Sequence, residues 1–568
     1  MKIDYLLIKN YRGLDIEIDN IEDICTLIGQ NDSGKSNICE AILKVLDFEK
    51  RKKPFVESDS TMENKEPIQI QIRLLLDDLT IDQYAIVREY IHKNDNGEKY
   101  IVVRLESIYN TEILEYEDNL FMGDPAIDEM QLHAYHQNPL DKILSVVYIN
   151  PSYNKEAELK NFFAFKEEYN KGQQKVFSGA IEEKLSELKD KIQREENIVE
   201  MQNDINNQGE FQQLLDGVNF EIIPNIRLNN IYKSLGIITL NENGNEINNI
   251  GDGKNKIFSM LLKSKTYDKE KKKIYLVEEP ENHLYVLLQR FYIEEILSLE
   301  PSQLIITTHS PYIVDFEKTK QIIKLNYNYK DNSREILTAK IDNERFKEFG
   351  YLINLEVAEM LYYNNVLLVE GDSEKYFYNM LMIKDYEFHK FILKNKFGIF
   401  DVNGIAFETI KNLLNLLGVN VIIKTDNDIF KVQNTENTYR YAGLERCIKY
   451  INQESKDELK KLLKWENFEK ENFRFEGKEE KIDSIEENIE KISQILFNNG
   501  ILFSTHNEGF EKDFLDYINY SQEIYQEAFD FLKQAKLKNL HEFICENNID
   551  IKINQTNKES ILVRFVNE

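Results

Sequence analysis

The sequence predicts an α/β chain built in two successive parts, each interrupted by a charged helical insertion. Three observations carry this reading. Short apolar runs at 24–28, 274–277, 366–369 and 421–423 each end in a glycine-rich or acidic loop. Helical spacing resumes after the loops that follow 24–28 and 366–369. Two long charged stretches keep a helical period instead. An unbroken apolar run bounded by turn signals is the pattern of a strand buried on both faces of a parallel sheet. At 568 residues the length predicts about three domains or subdomains rather than one core, here grouped in two parts, 1–355 and 356–568.

Taken in order, Ile3–Ile8, Leu14–Ile18 and Ile24–Ile28 read as strands, and Asn37–Leu46 carries Ile38, Ala41, Ile42 and Val45 at helical spacing. Strands follow at Ile68–Leu75 and Tyr100–Leu105, the latter entered through the hairpin signal Asn94-Asp95-Asn96-Gly97. From about 154 to 216, Ile181, Leu185, Leu188, Ile192 and Val199 keep a nearly heptad period, which predicts inserted helices with an apolar stripe too narrow for a monomer core. Strands return at Phe220–Ile223, Ile237–Leu240, Ile274–Val277 and Leu304–Ile306, with a helix starting near Lys256. The second part opens with a strand at Val366–Val369, a helix from Glu374 and a strand at Val419–Ile423. A mainly helical insertion at about 429–499 holds the single Trp465, and Ile501–Phe503 closes the pattern.

Composition removes several classes of function. The 100 Asp and Glu against 71 Lys and Arg give a net charge of -29, which argues against a basic coat that wraps nucleic acid without specificity. Cys25, Cys39, Cys447 and Cys545 form no CxxC pair, so neither a zinc ribbon nor a disulfide framework is expected and a reducing cytoplasm fits best. No signal peptide and no membrane span are expected, because no apolar run reaches 18 residues.

Gly29-Gln30-Asn31-Asp32-Ser33-Gly34-Lys35-Ser36 matches G-x-x-x-x-G-K-[ST] between a strand and a helix, where backbone N–H groups and the helix N-terminus can face phosphate oxygens. Chance supplies about 0.02 such matches in a chain this long. Lys35 is the candidate for the β and γ phosphates and Ser36 for Mg²⁺, with Gly29, Asn31, Gly34 and Asn37 completing the contact set. A glycine turn that merely caps a helix is the bland alternative, and the strand before it counts against that. Downstream, Ile274–Val277 ends in Glu278-Glu279-Pro280-Glu281, the carboxylate end of a buried strand. Glu278 is expected in the Mg²⁺ shell and Glu279 as the residue that polarises water. His309 ends the run Leu304–Thr308 and is a candidate γ-phosphate sensor, although a lone histidine is more often structural.

The second part repeats the strand-turn-helix layout with carboxylates in place of the lysine. Val366–Val369 leads into Glu370-Gly371-Asp372-Ser373-Glu374, and Val421–Ile423 leads into Lys424-Thr425-Asp426-Asn427-Asp428. About 0.2 E-G-x-x-E matches arise by chance per chain of this length, so the pairing with D-x-D carries the signal. Carboxylates spaced i, i+2 at a strand end can point to one side. Beside Glu370 they make an all-oxygen site suited to Mg²⁺ or Mn²⁺.

Together Ile8-Lys9-Asn10-Tyr11-Arg12-Gly13-Leu14, the loop 29–36, the 278–281 carboxylates and Thr308-His309-Ser310 resemble ABC-type ATPases of the RecF and SMC kind. The acidic pairing resembles the Toprim domain, and the order of the two resembles the OLD (overcoming lysogenization defect) family of ATP-dependent endonucleases, its Gabija A branch in particular. The resemblance implies an ABC-type ATPase head with an inserted helical dimerisation region, followed by a Toprim domain with a helical insert. It implies ATP and Mg²⁺ or Mn²⁺ as cofactors, DNA as substrate, a homo-oligomer, a UvrD-like helicase partner and a role in anti-phage defence. Carried over residue by residue, Glu370, Glu374, Asp426 and Asp428 match metal-binding positions. The family's further acid falls on Glu508 or Glu511 and its lysine on Lys536 or Lys538, with Glu511 and Lys538 preferred. The sequence departs from the class in having no LSGGQ. Asn249-Ile250-Gly251-Asp252-Gly253-Lys254 stands in its place, which implies slow hydrolysis and a nucleotide that holds the nuclease in check rather than fuels it.

A topoisomerase reading lacks a winged-helix region for its tyrosine, and a primase reading lacks a cysteine-rich zinc module. The remaining rivals are an SMC-like structural ATPase without nuclease activity and a protein-binding scaffold built on the helical insertions.

Overall fold

The computed structural model describes residues 1–61, 66–77, 79–124, 129–133, 138–150, 199, 239–240, 246–247, 270–314, 318–328, 333–341, 355–402, 407–469, 473–476, 485, 487–503, 511, 514–515, 525–534 and 536–546. The helices expected at 154–216 (Val199 apart), the strand at 220–223, the loop 249–254 and the helix near Lys256 lie outside them. The chain forms two compact units. One is Met1–Asp23 with Ser36–Thr308, the other Ile24–Lys35 with His309–Glu568.

The chain opens with β1 (Lys2–Tyr11), β2 (Leu14–Asp19), β3 (Ile24–Gly29) and α1 (Lys35–Leu46). In the first unit, β1 and β2 join β4 (Ile68–Leu75), β5 (His92–Lys93), β6 (Lys99–Asn110), β7 (Glu115–Asp124) and β8 (Glu129–His133) in an antiparallel sheet of order β2-β1-β4-β6-β7-β8, with β5 along β6. The antiparallel pairing agrees with the hairpin signal before β6. Strict alternation explains it: Ile68, Ile70, Ile72 and Leu74 are fully buried while Gln69, Gln71 and Arg73 are only half-buried, the signature of a sheet with one core face. At the expected hairpin, Asn94 Oδ1 accepts from the Asn96 and Glu98 backbone N–H groups.

The same unit holds three parallel strands, with β12 (Lys272–Glu278) between β9 (Leu144–Ile149) and β13 (Gln303–Thr308). A helix, α2 (Val286–Leu297), makes the crossover from β12 to β13. The short β10 (Thr239–Leu240) and β11 (Glu246–Ile247) pair as a hairpin. Gln303 is buried and its amide donates to the Ile3 and Glu22 carbonyls while accepting from the Ile3 N–H, which ties β13 to the antiparallel sheet.

In the second unit β3 runs parallel to β14 (Gln321–Asn328), which pairs antiparallel with β15 (Ser333–Lys340). A separate all-parallel sheet follows, with β16 (Asn365–Val369), β17 (Phe397–Asp401), β18 (Asn420–Thr425) and β22 (Ile501–Phe503) in the order β17-β16-β18-β22. The helix α3 (Asp372–Lys384) leaves β16. One hydrophobic core contains Ile28 of β3 and Ile322 of β14 together with Val366, Leu368, Val421 and Ile423 of this parallel sheet.

The insertion after Asp428 is not only helical. Strands β19 (Ile429–Lys431), β20 (Thr438–Tyr441) and β21 (Arg474–Glu476) form an antiparallel sheet, with α4 (Ala442–Cys447) and helices Gln453–Leu463 and Ile489–Phe497 around it. Its own core runs through Tyr441, Leu444, Phe473, Phe475 and Leu496, with Trp465 packed edge-on against Phe473. Alternation over Thr438–Tyr441 is too short to read against the surrounding charge.

Candidate phosphate loop and metal centre

The phosphate loop leaves β3 at Gly29, whose φ of +154° and whose nearest neighbour, the Leu325 carbonyl 2.5 Å from any added Cβ, leave no room for a side chain. The Lys35 side chain is buried and its ammonium donates to the Gly29 and Gln30 carbonyls at 3.0 and 2.9 Å, folding back over its own loop. Arg334 Nε holds the Ser33 carbonyl at 3.0 Å. The Gln30 side chain faces the other way: its Oε1 accepts from Lys396 Nζ and its Nε2 donates to Asn364 Oδ1 at 3.2 Å. Asn31 and Ser36 are exposed, and Asn37 Nδ2 donates to the Arg12 carbonyl at 3.1 Å. Arg12 in turn pairs with Asp59 at 2.6 Å and Glu40 at 3.3 Å.

Within the first unit, the parallel strand β12 delivers Glu278 to its C-terminal end, where it is buried and accepts the Tyr148 hydroxyl from the end of β9. Burial, reinforced by Glu278, pushes the Tyr148 hydroxyl pKa well above its ordinary value, so it stays a donor. The Glu279 backbone N–H donates to the Thr307 carbonyl, Asn282 Nδ2 donates to Glu279 Oε2 at 2.7 Å, and Thr308 Oγ1 donates to Glu281 Oε1 at 2.9 Å. His309 follows β13 and belongs to the second unit, with Gly29, Asn31, Gly34 and Lys35, whereas Ser36, Asn37, Glu278 and Glu279 belong to the first.

The acidic edge lies at the C-terminal ends of β16 and β18, which are neighbours. There Glu370 Oε1 accepts from Thr425 Oγ1 at 2.5 Å and from the Asp426 N–H at 3.0 Å. It also meets Arg446 Nη2 at 2.8 Å. The same Nη2 stands 2.9 Å from Asp428 Oδ2 and 3.4 Å from the Asp426 carbonyl. Glu374, in the first turn of α3, accepts from the Glu370 and Gly371 N–H groups through Oε2 at 2.7 and 3.3 Å, a favourable place for a carboxylate at a helix N-terminus. Among the described residues its buried Oε1 has no hydrogen-bond partner. Burial, then the neighbouring Asp426 and Glu370, push the Glu374 carboxyl pKa up, and Lys424 opposes this. Lys424 is itself buried, with Nζ 3.9 Å from Asp426 Oδ1.

Four of the sequence-derived residues, Glu370, Glu374, Asp426 and Asp428, therefore meet on one edge. Glu511 is buried in a helical position, Glu508 lies outside the described residues, and the Lys536 side chain is likewise undescribed. Lys538 sits on α5 (Lys536–Glu546) with its side chain 77% exposed and paired with Glu542. The basic groups the structure brings to the acidic edge are Lys424 and Arg446, neither of them singled out from sequence. Lys424 lies two residues before the D-x-D run and was open to notice. Arg446 arrives from the insertion and carries no local signal.

The donor chemistry fits a hard divalent cation: all oxygens, with one buried carboxylate oxygen unpartnered. Among the described residues, however, no three His, Cys, Asp or Glu side chains stand close enough to hold one ion. Arg446 stands between two of them.

A phosphate-loop ATPase joined to a carboxylate-edged parallel sheet is the class that fold and sites define. Residues 1–314 match the AAA ATPase domain model and residues 361–428 match the model for the overcoming lysogenization defect protein-like TOPRIM domain. The first match spans more than half the chain, which belongs to the AAA ATPase family, here in the OLD arrangement of ATPase followed by Toprim. That family architecture implies nucleotide binding in the first part and divalent-metal use in the second. Endonuclease GajA of Bacillus cereus (strain VD045) is 25% identical over 496 residues, covering 81% of this chain and 80% of that one. Two solved SMC heads also align. One, bound to the C-winged helix domain of ScpA, is 13% identical with a TM-score of 0.33 over 61% of this chain and 99% of that one. The other, from Thermotoga maritima, is 12% identical with a TM-score of 0.29 over 60% and 100%. Among the described residues no helix is long and apolar enough to cross a membrane.

Proposed function

We propose that this protein is a metal-dependent DNA endonuclease whose ATPase part governs cleavage, acting in anti-phage defence. The observation that carries the reading is the edge formed by Glu370, Asp426 and Asp428, which follow the C-terminal ends of adjacent parallel strands, with Glu374 at the start of α3. The name of its relative, Endonuclease GajA, supports the same chemistry.

Glu370, Asp426 and Asp428, with Glu374, are the residues that would hold the ion, Mg²⁺ or Mn²⁺. When bound, it supplies water activation and leaving-oxygen stabilisation for phosphodiester hydrolysis. The chain's own contribution is positional. Thr425 and the Asp426 N–H fix the Glu370 carboxylate, and the two amides at the start of α3 fix Glu374. Lys424, buried beside Asp426, partly offsets the burial and the neighbouring acids that push the Glu374 carboxyl pKa up. Lys35 and the loop from Gly29 are the proposed ATP phosphate cradle, with Ser36 and Glu278 toward Mg²⁺, Glu279 toward water and His309 toward the γ-phosphate. A homo-oligomer and a cytoplasmic location complete the proposal, with the ATPase part ending near residue 355. A UvrD-like helicase partner rests on the family resemblance alone.

The test is nicking of supercoiled plasmid with Mg²⁺ or Mn²⁺, compared with EDTA and with Asp426→Ala. Loss of cleavage in both supports the reading. Cleavage that survives Asp426→Ala removes the assignment, and no cleavage by the folded wild type under any ion favours the structural ATPase instead.

A further inference from the structure

The oxygen that draws the acidic edge together, Glu370 Oε1, already takes three donors: Thr425 Oγ1, the Asp426 N–H and Arg446 Nη2. A carboxylate oxygen has two lone pairs. An ion that coordinates it must therefore displace a donor. The Asp426 donor is backbone and cannot withdraw without unmaking the strand end, and Thr425, a short side chain on β18, can turn its hydroxyl hydrogen away but cannot leave the oxygen's side. The guanidinium can, because it sits on a long side chain that is 27% exposed. It also occupies Asp428 Oδ2, the second carboxylate an ion needs.

The placement of Arg446 is built into the fold. Gly443, three residues earlier on α4 and so on the same face, lies against the D-x-D backbone. A Cβ there would meet the Asp426 carbonyl at 2.1 Å and the Asp428 nitrogen at 2.8 Å. The Ala442 and Gly443 N–H groups both donate to the Asp428 carbonyl, at 3.0 and 3.3 Å. This seats α4 so closely that its arginine reaches both acids. Meanwhile buried Arg446 Nε has no hydrogen-bond partner among the described residues, so the side chain forgoes one donor to make the bridge.

We propose that Arg446 is a resident counter-cation of the acidic edge, competing with the divalent ion for Glu370 and Asp428, so that ion loading requires the guanidinium to swing out. This rests on the reading that the edge takes a divalent ion. Arg446 then sets the ion concentration at which the edge loads and keeps the carboxylates from repelling one another below it. A purely structural arginine predicts the opposite sign, because its removal would spoil the ligand arrangement and weaken the ion.

The experiment is a Mn²⁺ titration of the full-length protein, without DNA or nucleotide, by calorimetry and electron paramagnetic resonance. Wild type, Arg446→Gln and Arg446→Lys are compared, counting only the binding that Glu370→Gln abolishes. Arg446→Gln is expected to bind roughly tenfold more tightly, each factor of ten being about 1.4 kcal/mol. It should also melt earlier than wild type in EDTA and gain more from Mn²⁺. Arg446→Lys, which keeps a charge without the planar fork, is expected to shift the same way by less and serves if the glutamine variant does not fold. Equal or weaker Mn²⁺ binding in a folded variant overturns the competition while leaving the metal edge intact. No Glu370-dependent binding in wild type or variants overturns both.

Discussion

Replacing Gln30 by alanine should uncouple nucleotide from cleavage while leaving both sites able to work. The Gln30 side chain bridges the phosphate loop to Lys396 and Asn364, at the points where β17 and β16 begin. The Asn364 N–H donates to the Lys396 carbonyl and the Asn364 carbonyl accepts from Asn420, so one cluster gathers the starts of β16, β17 and β18. Two of those strands end in the acidic edge. A charge-assisted hydrogen bond contributes about 1.5–3 kcal/mol and a neutral one about 0.5–1.5. The Asn364 bond is exposed and the Lys396 bond only part-buried, so competition from water discounts their sum to about 1–2 kcal/mol. If nucleotide restrains the nuclease through this bridge, its effect on cleavage should shrink by roughly 5- to 30-fold in Gln30→Ala. Nucleotide affinity should change little, because Lys35 contacts the Gln30 carbonyl and not its side chain. The assay is plasmid cleavage across an ATP titration at fixed free Mg²⁺, since ATP also chelates the metal, with ATP affinity measured separately by calorimetry. An undiminished ATP effect in a variant that binds ATP normally refutes the bridge. An ATP effect that persists in Lys35→Ala refutes nucleotide control altogether.

Three further outcomes are expected. Lys324 on β14 is buried with its ammonium donating to the Tyr363 carbonyl, and burial lowers its pKa from 10.5 to about 8. The folded state thus resists its charge, so this group opposes folding most below about pH 8 and ceases to oppose it as pH rises toward 10.5. Lys324→Met should stabilise by about 2 kcal/mol at pH 7, from about 3 relieved and about 1 lost with the hydrogen bond, and the gain should vanish near pH 10.5 in urea melts at both values. Gly443→Ala should destabilise the protein by about 1–3 kcal/mol and reduce plasmid cleavage at least about tenfold, because the helix must back away from the D-x-D carbonyl. Unchanged melting and cleavage would contradict the close approach. Tyr148→Phe should slow ATP turnover about tenfold with nucleotide binding retained, since the buried Glu278 carboxylate loses its donor; unchanged turnover in a steady-state phosphate-release assay would dismiss the contact.

Much of the site was legible because it is encoded locally. A buried strand running into a special loop is written in consecutive residues, so Ile24–Ile28, Ile274–Val277, Val366–Val369 and Ile501–Phe503 all fall within observed strands. Glu370 and Asp426 were readable for the same reason: each ends its own apolar run, and parallel pairing of β16 with β18 brings them together. What escaped depends on contacts across many residues. Arg446 reaches the edge only because a small antiparallel sheet and Gly443 seat α4 there, and nothing within 18 residues of Asp428 announces it. Lys538 looked suitable by family position but points from an exposed helix face toward Glu542. The antiparallel sheet of the first unit was harder to foresee than its strands, because pairing direction follows from connections and not from composition.

The core that joins Ile28 and Ile322 to Val366, Leu368 and Val421 has a bearing on biogenesis. The segment Ile24–Lys35 belongs to a unit whose other residues start at His309, so the strand that carries the phosphate loop leaves the ribosome nearly three hundred residues ahead of the neighbours that bury it. Pairing at such sequence separation is slow and comes late, after the intervening chain has been made. A nascent or truncated N-terminal fragment therefore has the phosphate-loop motif without the β14 strand that supports it. The phosphate loop thus gains its supporting strand only once the chain has been made through β14, late in synthesis.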